Sequence, residues 1–178
     1  MNITSGQLAK QRYALPKAWR ASIQRAASNV ATPHVDYYLL LAIASRETNM
    51  RNIVGDGGHG RGMFQQDDRW QQDFLAHAQG CNPGTSTPRW DSALPKGRVP
   101  TVSAGAKRCA TMLEAGVIEA ARAGVPFGSR VRVAVAGYNA GMHAAITAWK
   151  KTGNPDTTTT GGDYSADVLE RADTLRRM

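Results

Sequence analysis

The feature that most limits how this chain can fold is an unbroken apolar run, Tyr37 to Ala44, that ends in Ser45, Arg46 and Glu47. A run of that length suits a core helix or a buried strand, and periodicity alone does not separate the two. The start signals favour a helix, with Thr32 as N-cap, Pro33 at the first helical position and Asp36 in the first turn. On such a helix Glu47 lies four residues after Ile43 and seven after Leu40, on a face that must be buried. Glu47 is one of only four glutamates in the chain. Its bland reading is a surface pair with Arg46 or Arg51. The alternative is a carboxyl pushed toward its neutral form by desolvation.

The neighbourhood favours chemistry. Asp56 follows nine positions on and Asp67 twenty positions on, with a loop of five glycines before the second. A carboxylic acid in an apolar setting, faced by a carboxylate across a cleft, is the minimum equipment for hydrolysing a glycosidic bond. Other chemistries fit less well. The Gly-rich stretch follows a helix and lacks a Gly-Lys-Ser/Thr ending, so neither nucleotide-binding fingerprint is met. His59 beside Asp56 hints at a metal, but the four histidines are dispersed and no ligand-spaced motif accompanies them. No metal and no cofactor are expected. A nucleophilic serine or cysteine site has no motif around it either.

A chain of 178 residues is read as one domain, 1–178, with a basic helical segment over 1–30 and a core over 31–178. No run approaches the length of a membrane span, so no membrane insertion is expected. The net charge of +8 points to an anionic partner. The basic residues are scattered and carry no nucleic-acid motif, so nucleic acid is not the expected ligand. Before Asp36 there is no acidic residue, while Lys10, Arg12, Lys17, Arg20 and Arg25 are basic. A transit peptide is one explanation; a solvated basic helical face is the preferred one. No secretory signal is read at the N-terminus, so Cys81 and Cys109 are expected as free thiols, although one disulfide between them is geometrically open. A monomer is expected.

Along the chain, Leu15-Pro16 divides two helices, the second placing Trp19, Ile23, Ala26 and Ala27 on one face. A short strand or hairpin arm is expected over Gly62 to Gln66, then a helix over Arg69 to Ala78 and a long loop over 80–100 around Trp90. Thr101 or Ser103 caps a helix to Ala123, with a buried stripe of Val102, Ala106, Cys109, Leu113, Val117 and Ala120. Helices over Val131–Tyr138, onward to Trp149, and over Tyr164–Arg177 follow, with a turn at Asn139-Ala140-Gly141 and a polar loop before the last.

Four motifs in order carry a family resemblance: Glu47-Thr48; Gly62-Met63-Phe64-Gln65, closing on Asp67; Tyr138-Asn139-Ala140-Gly141; and Asp163-Tyr164-Ser165-Ala166-Asp167-Val168. Together they resemble the goose-type lysozymes and the wider group of soluble lytic transglycosylases, over roughly residues 35 to 175. The resemblance implies a mainly α, lysozyme-like domain with a short β-hairpin beside the active-site cleft. It implies a muramidase that cleaves the β-1,4 bond between N-acetylmuramic acid and N-acetylglucosamine in bacterial peptidoglycan. Glu47 would be the general acid and Asp56 and Asp67 would position water, with inversion. Gln65, Tyr138, Asn139 and Tyr164 would contact substrate. Thr48 stands for the usual serine and Asn49 for a frequent histidine. A lytic transglycosylase, which needs only the glutamate and yields 1,6-anhydro products, is the nearest rival; a non-catalytic wall-binding module is the rival of another class. A basic muramidase with no leader looks like a bacteriophage endolysin or one catalytic domain of a larger one, made in the host cytoplasm and reaching the wall after release.

Overall fold

The computed structural model describes residues 3–67 and 99–178. It is mainly helical, with seven α-helices and one small antiparallel sheet among the described residues. Helix α1 (Ser5–Ala14) opens with a reciprocal cap between Thr4 and Gln7, and α2 (Lys17–Ser28) starts directly after Pro16, at the predicted break. These helices are not an appendage. Leu8, Leu15, Ile23, Ala26 and Ala27 join the central core, so no structural boundary separates 1–30 from the rest.

Helix α3 (Tyr37–Thr48) is the apolar run, and Leu39 to Ala44 are fully buried, as befits a helix that is hydrophobic all round. It begins later than the sequence signals indicate. Asp36 is the N-cap, with Oδ1 accepting from the Leu39 amide at 2.8 Å. Thr32 lies too far upstream to reach that amide and instead closes a separate turn, its carbonyl accepting from Val35 N–H at 3.0 Å. The helix ends with two successive left-handed residues, Asn49 (φ 53°) and Met50 (φ 60°), and the Met50 N–H reaches back to the Ala44 carbonyl, 2.9 Å away. Asn49 is among the few non-glycine residues that tolerate this conformation.

The sheet is a meander of three two-residue strands rather than a hairpin: β1 (Val54–Gly55), β2 (Gly60–Arg61) and β3 (Gln66–Asp67), with Val54 opposite Arg61 and Gly60 opposite Asp67. The arm expected over Gly62 to Gln66 is therefore mostly the turn between β2 and β3. Gly62 (φ 73°) and Gln65 (φ 44°) reverse the chain there, which an extended strand does not do.

Helix α4 (Val102–Arg122) is capped by Thr101 and buries the predicted stripe, with Val117 only partly covered. A 3₁₀ turn over Phe127–Ser129 leads to α5 (Arg130–Ala140) and then α6 (Met142–Thr152). The expected Asn139-Ala140-Gly141 turn contracts to Gly141 alone (φ 88°), because α5 stays helical through Ala140. Two 3₁₀ turns, Pro155–Thr158 and Thr160–Gly162, precede α7 (Tyr164–Arg176). The main packings are α4 on α5 and on α2, α3 on α7, and α5 on α6. The helix expected over Arg69–Ala78, Cys81, Trp90 and most of the loop over 80–100 lie outside the described residues.

Candidate active site

Glu47 lies in the last turn of α3, where the helix leaves the core. Tyr164 is the first residue of α7, 2% exposed, and its phenol donates to Glu47 Oε1 in a short hydrogen bond. The start of α7 is set by Asp156, which is 1% exposed. Its carboxylate accepts from Ser165 N (2.7 Å), Ser165 Oγ (2.6 Å), Ala166 N (3.3 Å) and Arg132 Nη2 (3.3 Å). A carboxylate on the free amides of a helix start is favourable for both hydrogen bonding and the helix dipole.

Around Glu47 the surroundings favour neutral side chains. Desolvation raises its pKa to about 7, against the lowering effects of the Tyr164 bond and the Arg46 charge. Burial likewise raises Tyr164, Tyr138 and the Cys109 thiol above their ordinary values, and these groups sense Glu47 electrostatically. A carboxyl that titrates near neutral pH holds its proton in a large share of the molecules and is equipped to donate it.

The floor of this region is the Met63–Phe64 strip, held from two helices. Tyr138 Oη on α5 donates to the Phe64 carbonyl at 2.8 Å, and Thr48 Oγ1 on α3 lies 2.9 Å from the Met63 carbonyl. Asn52 Oδ1 accepts from Met63 N at 2.9 Å. Phe64 packs onto α4 at Gly105, where a Cβ would lie 3.2 Å from its ring. The hydroxyl kept at Thr48 thus has a structural use, and the Tyr138 phenol is committed to the backbone.

The other predicted residues divide. Gln65 folds under the sheet: its amide nitrogen donates to Gly62 O (2.9 Å) and Ile53 O (3.2 Å), and its oxygen packs against Gly55 and Gly60. Asn139 sits on α5 with its side-chain oxygen accepting from Thr160 N at 2.8 Å, which ties α5 to the turn before Tyr164. Asp56 is exposed in the tight turn between β1 and β2, with φ at 46°. Asp67 has its backbone on β3 opposite Gly60, and its side chain lies outside the described residues. Glu47 and Tyr164 therefore meet directly and Tyr138 stands beside them, while the Gln65 and Asn139 side chains bond to backbone and Asp56 stands exposed on the turn between β1 and β2.

Three further residues of this region are not among the expected site residues. Cys109, buried with its thiol free, touches Tyr138. Gln66, 1% exposed, donates to the Gly105 carbonyl at 3.0 Å. Arg46 neighbours Glu47 in the chain and lies over the Tyr164 ring, and neither it nor Arg51 forms the surface pair with Glu47. The helical spacing of Cys109, the place of Gln66 at the end of the expected arm and the adjacency of Arg46 to Glu47 are legible in the sequence; their partners are not.

No protein-family model matches the chain, and no curated protein matches it. Among the described residues no group of histidine, cysteine, aspartate and glutamate is arranged to hold a metal, and no helix is long and apolar enough to cross a membrane. A depression of about 360 Å³ lined by Glu119, Arg122, Ala123, His143 and Ile146 shares no residue with the candidate site.

Proposed function

We propose that this chain is a peptidoglycan hydrolase, a muramidase with a lysozyme-like, goose-type fold. The observation that carries the reading is the Glu47 carboxyl, desolvated at the end of α3 and held by the Tyr164 phenol, beside a small sheet that bears Asp56 and Asp67. Protonated Glu47 gives its proton to the glycosidic oxygen between N-acetylmuramic acid and N-acetylglucosamine. The bond from that oxygen to the anomeric carbon breaks with its electron pair left on the oxygen. Water, losing a proton to Asp56 or Asp67, adds to the anomeric carbon from the opposite face. Such inversion asks for carboxyl groups roughly 6.5–9.5 Å apart, which leaves room for one water between acid and base. The reaction needs no cofactor. The excess of basic residues suits an approach to an anionic wall, whether the protein works alone or as the catalytic domain of a longer lysin.

The test is mass spectrometry of products from purified peptidoglycan, wild type beside Glu47→Gln. Reducing muramic ends that vanish in the variant support hydrolysis. 1,6-Anhydro ends would make the protein a lytic transglycosylase and leave the aspartates without a chemical role. Wall binding with no product from wild type would leave a binding module.

A further inference from the structure

Arg46 adjoins Glu47 in the chain and the partner of Glu47 in space. Its Nη1 lies 2.8 Å from Asp167, its Nη2 lies 2.9 Å from Asp163, and its guanidinium carbon is 5.7 Å from the centre of the Tyr164 ring. Asp163, Tyr164 and Asp167 sit together at the start of α7, so one side chain from α3 grips both flanks of the tyrosine. The clamp is itself braced. Asp167 also accepts from Arg171 Nε (2.8 Å), Arg171 donates to Ser45 (2.8 Å), and Ser45 donates to Gln11 on α1 (2.7 Å). A planar fork that satisfies two carboxylates at once is a property of arginine that lysine does not reproduce.

We propose that Arg46 is a positioning residue for the reaction: clamped between Asp163 and Asp167, it fixes the Tyr164 phenol against the Glu47 carboxyl. Its effect on turnover rests on the muramidase reading; its effect on the carboxyl rests on the geometry alone. Among the described residues the groups that couple electrostatically to Glu47 are Arg46 on α3, Cys109 on α4, Tyr138 on α5 and Tyr164 on α7, with Arg108 of α4 coupled in turn to Tyr138. Arg46 is the cation that acts on Glu47 itself, and the two aspartates offset its charge.

Two substitutions therefore move the Glu47 carboxyl in opposite directions. Asp163→Asn keeps a hydrogen-bond acceptor and removes one negative charge, at a side chain 47% exposed. The Arg46 charge is then less offset, and the Glu47 titration midpoint falls. Arg46→Met removes the cation and loosens the phenol, so the midpoint rises. In that variant kcat drops about tenfold or more while KM stays within about threefold, the pattern of an interaction felt mainly in the transition state. Arg46→Lys restores the midpoint but only part of kcat.

The experiment reads the Glu47 carboxyl carbon by NMR titration of the folded, substrate-free protein, with kcat and KM measured in parallel on purified peptidoglycan. Opposed midpoint shifts with a kcat loss in Arg46→Met support the clamp. Midpoints that stay put or move together overturn it, as does an Arg46→Met protein with a lower Tm and wild-type kcat. The NMR arm needs no substrate. A wild type that cuts no wall overturns the muramidase reading and leaves the clamp to be judged on the titration.

Discussion

Thr48 and Tyr138 hold adjacent carbonyls of one backbone strip: Thr48 Oγ1 lies 2.9 Å from Met63 O, and Tyr138 Oη lies 2.8 Å from Phe64 O. The first residue comes from α3, which carries Glu47, and the second from α5, so the turn between β2 and β3 is tied to both helices. Tyr138→Phe removes one of these holds and leaves the Phe64 carbonyl short of a partner. A loss of about 1–2 kcal/mol in unfolding free energy is expected by urea denaturation. Activity on peptidoglycan should fall with it, because the floor of the site loosens. Unchanged stability would mean that the Phe64 carbonyl finds another donor.

Desolvation of the Glu47 carboxyl makes the stability of the fold depend on pH. Between the ordinary carboxyl value of 4.5 and about 7 the native protein keeps a proton that the unfolded chain has released. The unfolded state then binds fewer protons, and stability falls as pH rises through that window, by about 3 kcal/mol in all. Glu47→Gln has no charge to desolvate and escapes the decline. The variant should be inactive, more stable than wild type at pH 8 and equal to it near pH 4, as read by denaturant midpoints at both pH values. Parallel stability curves would count against a desolvated acid.

The same protonation sets the basic limb of activity. As the acid, Glu47 works while protonated, so kcat on wall fragments should decline as pH rises through about 7. A rate that stays flat to pH 9 would assign proton donation elsewhere.

Asp156 behaves in the contrary sense. Burial alone would raise its pKa, but the bonds from Ser165, Arg132 and Ala166 outweigh burial and hold it below the usual value. Its stabilisation is present above the unfolded carboxyl's pKa and is lost as pH falls through the lower folded one. Asp156→Asn should cost about 2–3 kcal/mol at pH 7, since a buried cap with several donors loses its charge. The penalty should shrink on acidification, which a pair of melts at pH 7 and pH 3 would reveal.

Gln65 offers a way to separate support from substrate contact. Gly60→Ala places a methyl group against the Gln65 oxygen, and the amide must leave Ile53 or Gly62 to make room. A loss of activity greater in Gly60→Ala than in Gln65→Ala would show that the sheet's shape matters more than the amide's reach. The reverse order, compared at equal folded fraction, would restore Gln65 as a direct contact.

Local signals were legible where a single short-range rule decides the outcome. Pro16 ends α1, Thr101 caps α4, and the stripe from Val102 to Ala120 faces inward, all from spacing and capping chemistry. Competing local signals misled. Thr32 and Pro33 look like a helix start, yet Asp36 is nearer the apolar run and wins. The strip from Gly62 to Gln65 has strand-like composition, but positive φ at both ends makes it a turn. Glu47 and Tyr164 could be nominated from their motifs, and they do meet. The Gln65 bond to Gly62 is local, whereas the backbone partners of Asn139 and Tyr138 could not be read, since tertiary packing brings them near. The same holds for Arg46, whose partners Asp163 and Asp167 lie on the far side of the chain.

The bond between Glu47 and Tyr164 joins positions 117 residues apart. During synthesis the acid is made long before its phenol, and the turn of α3 that carries it has no α7 to dry it. A growing or prematurely terminated chain therefore holds the chemical group without the surroundings that give it a proton to donate. On the muramidase reading, the acid gains its competence only when the last helix docks. A single proteolytic cut in the polar segment before Tyr164 would, once the freed helix departs, withdraw it again.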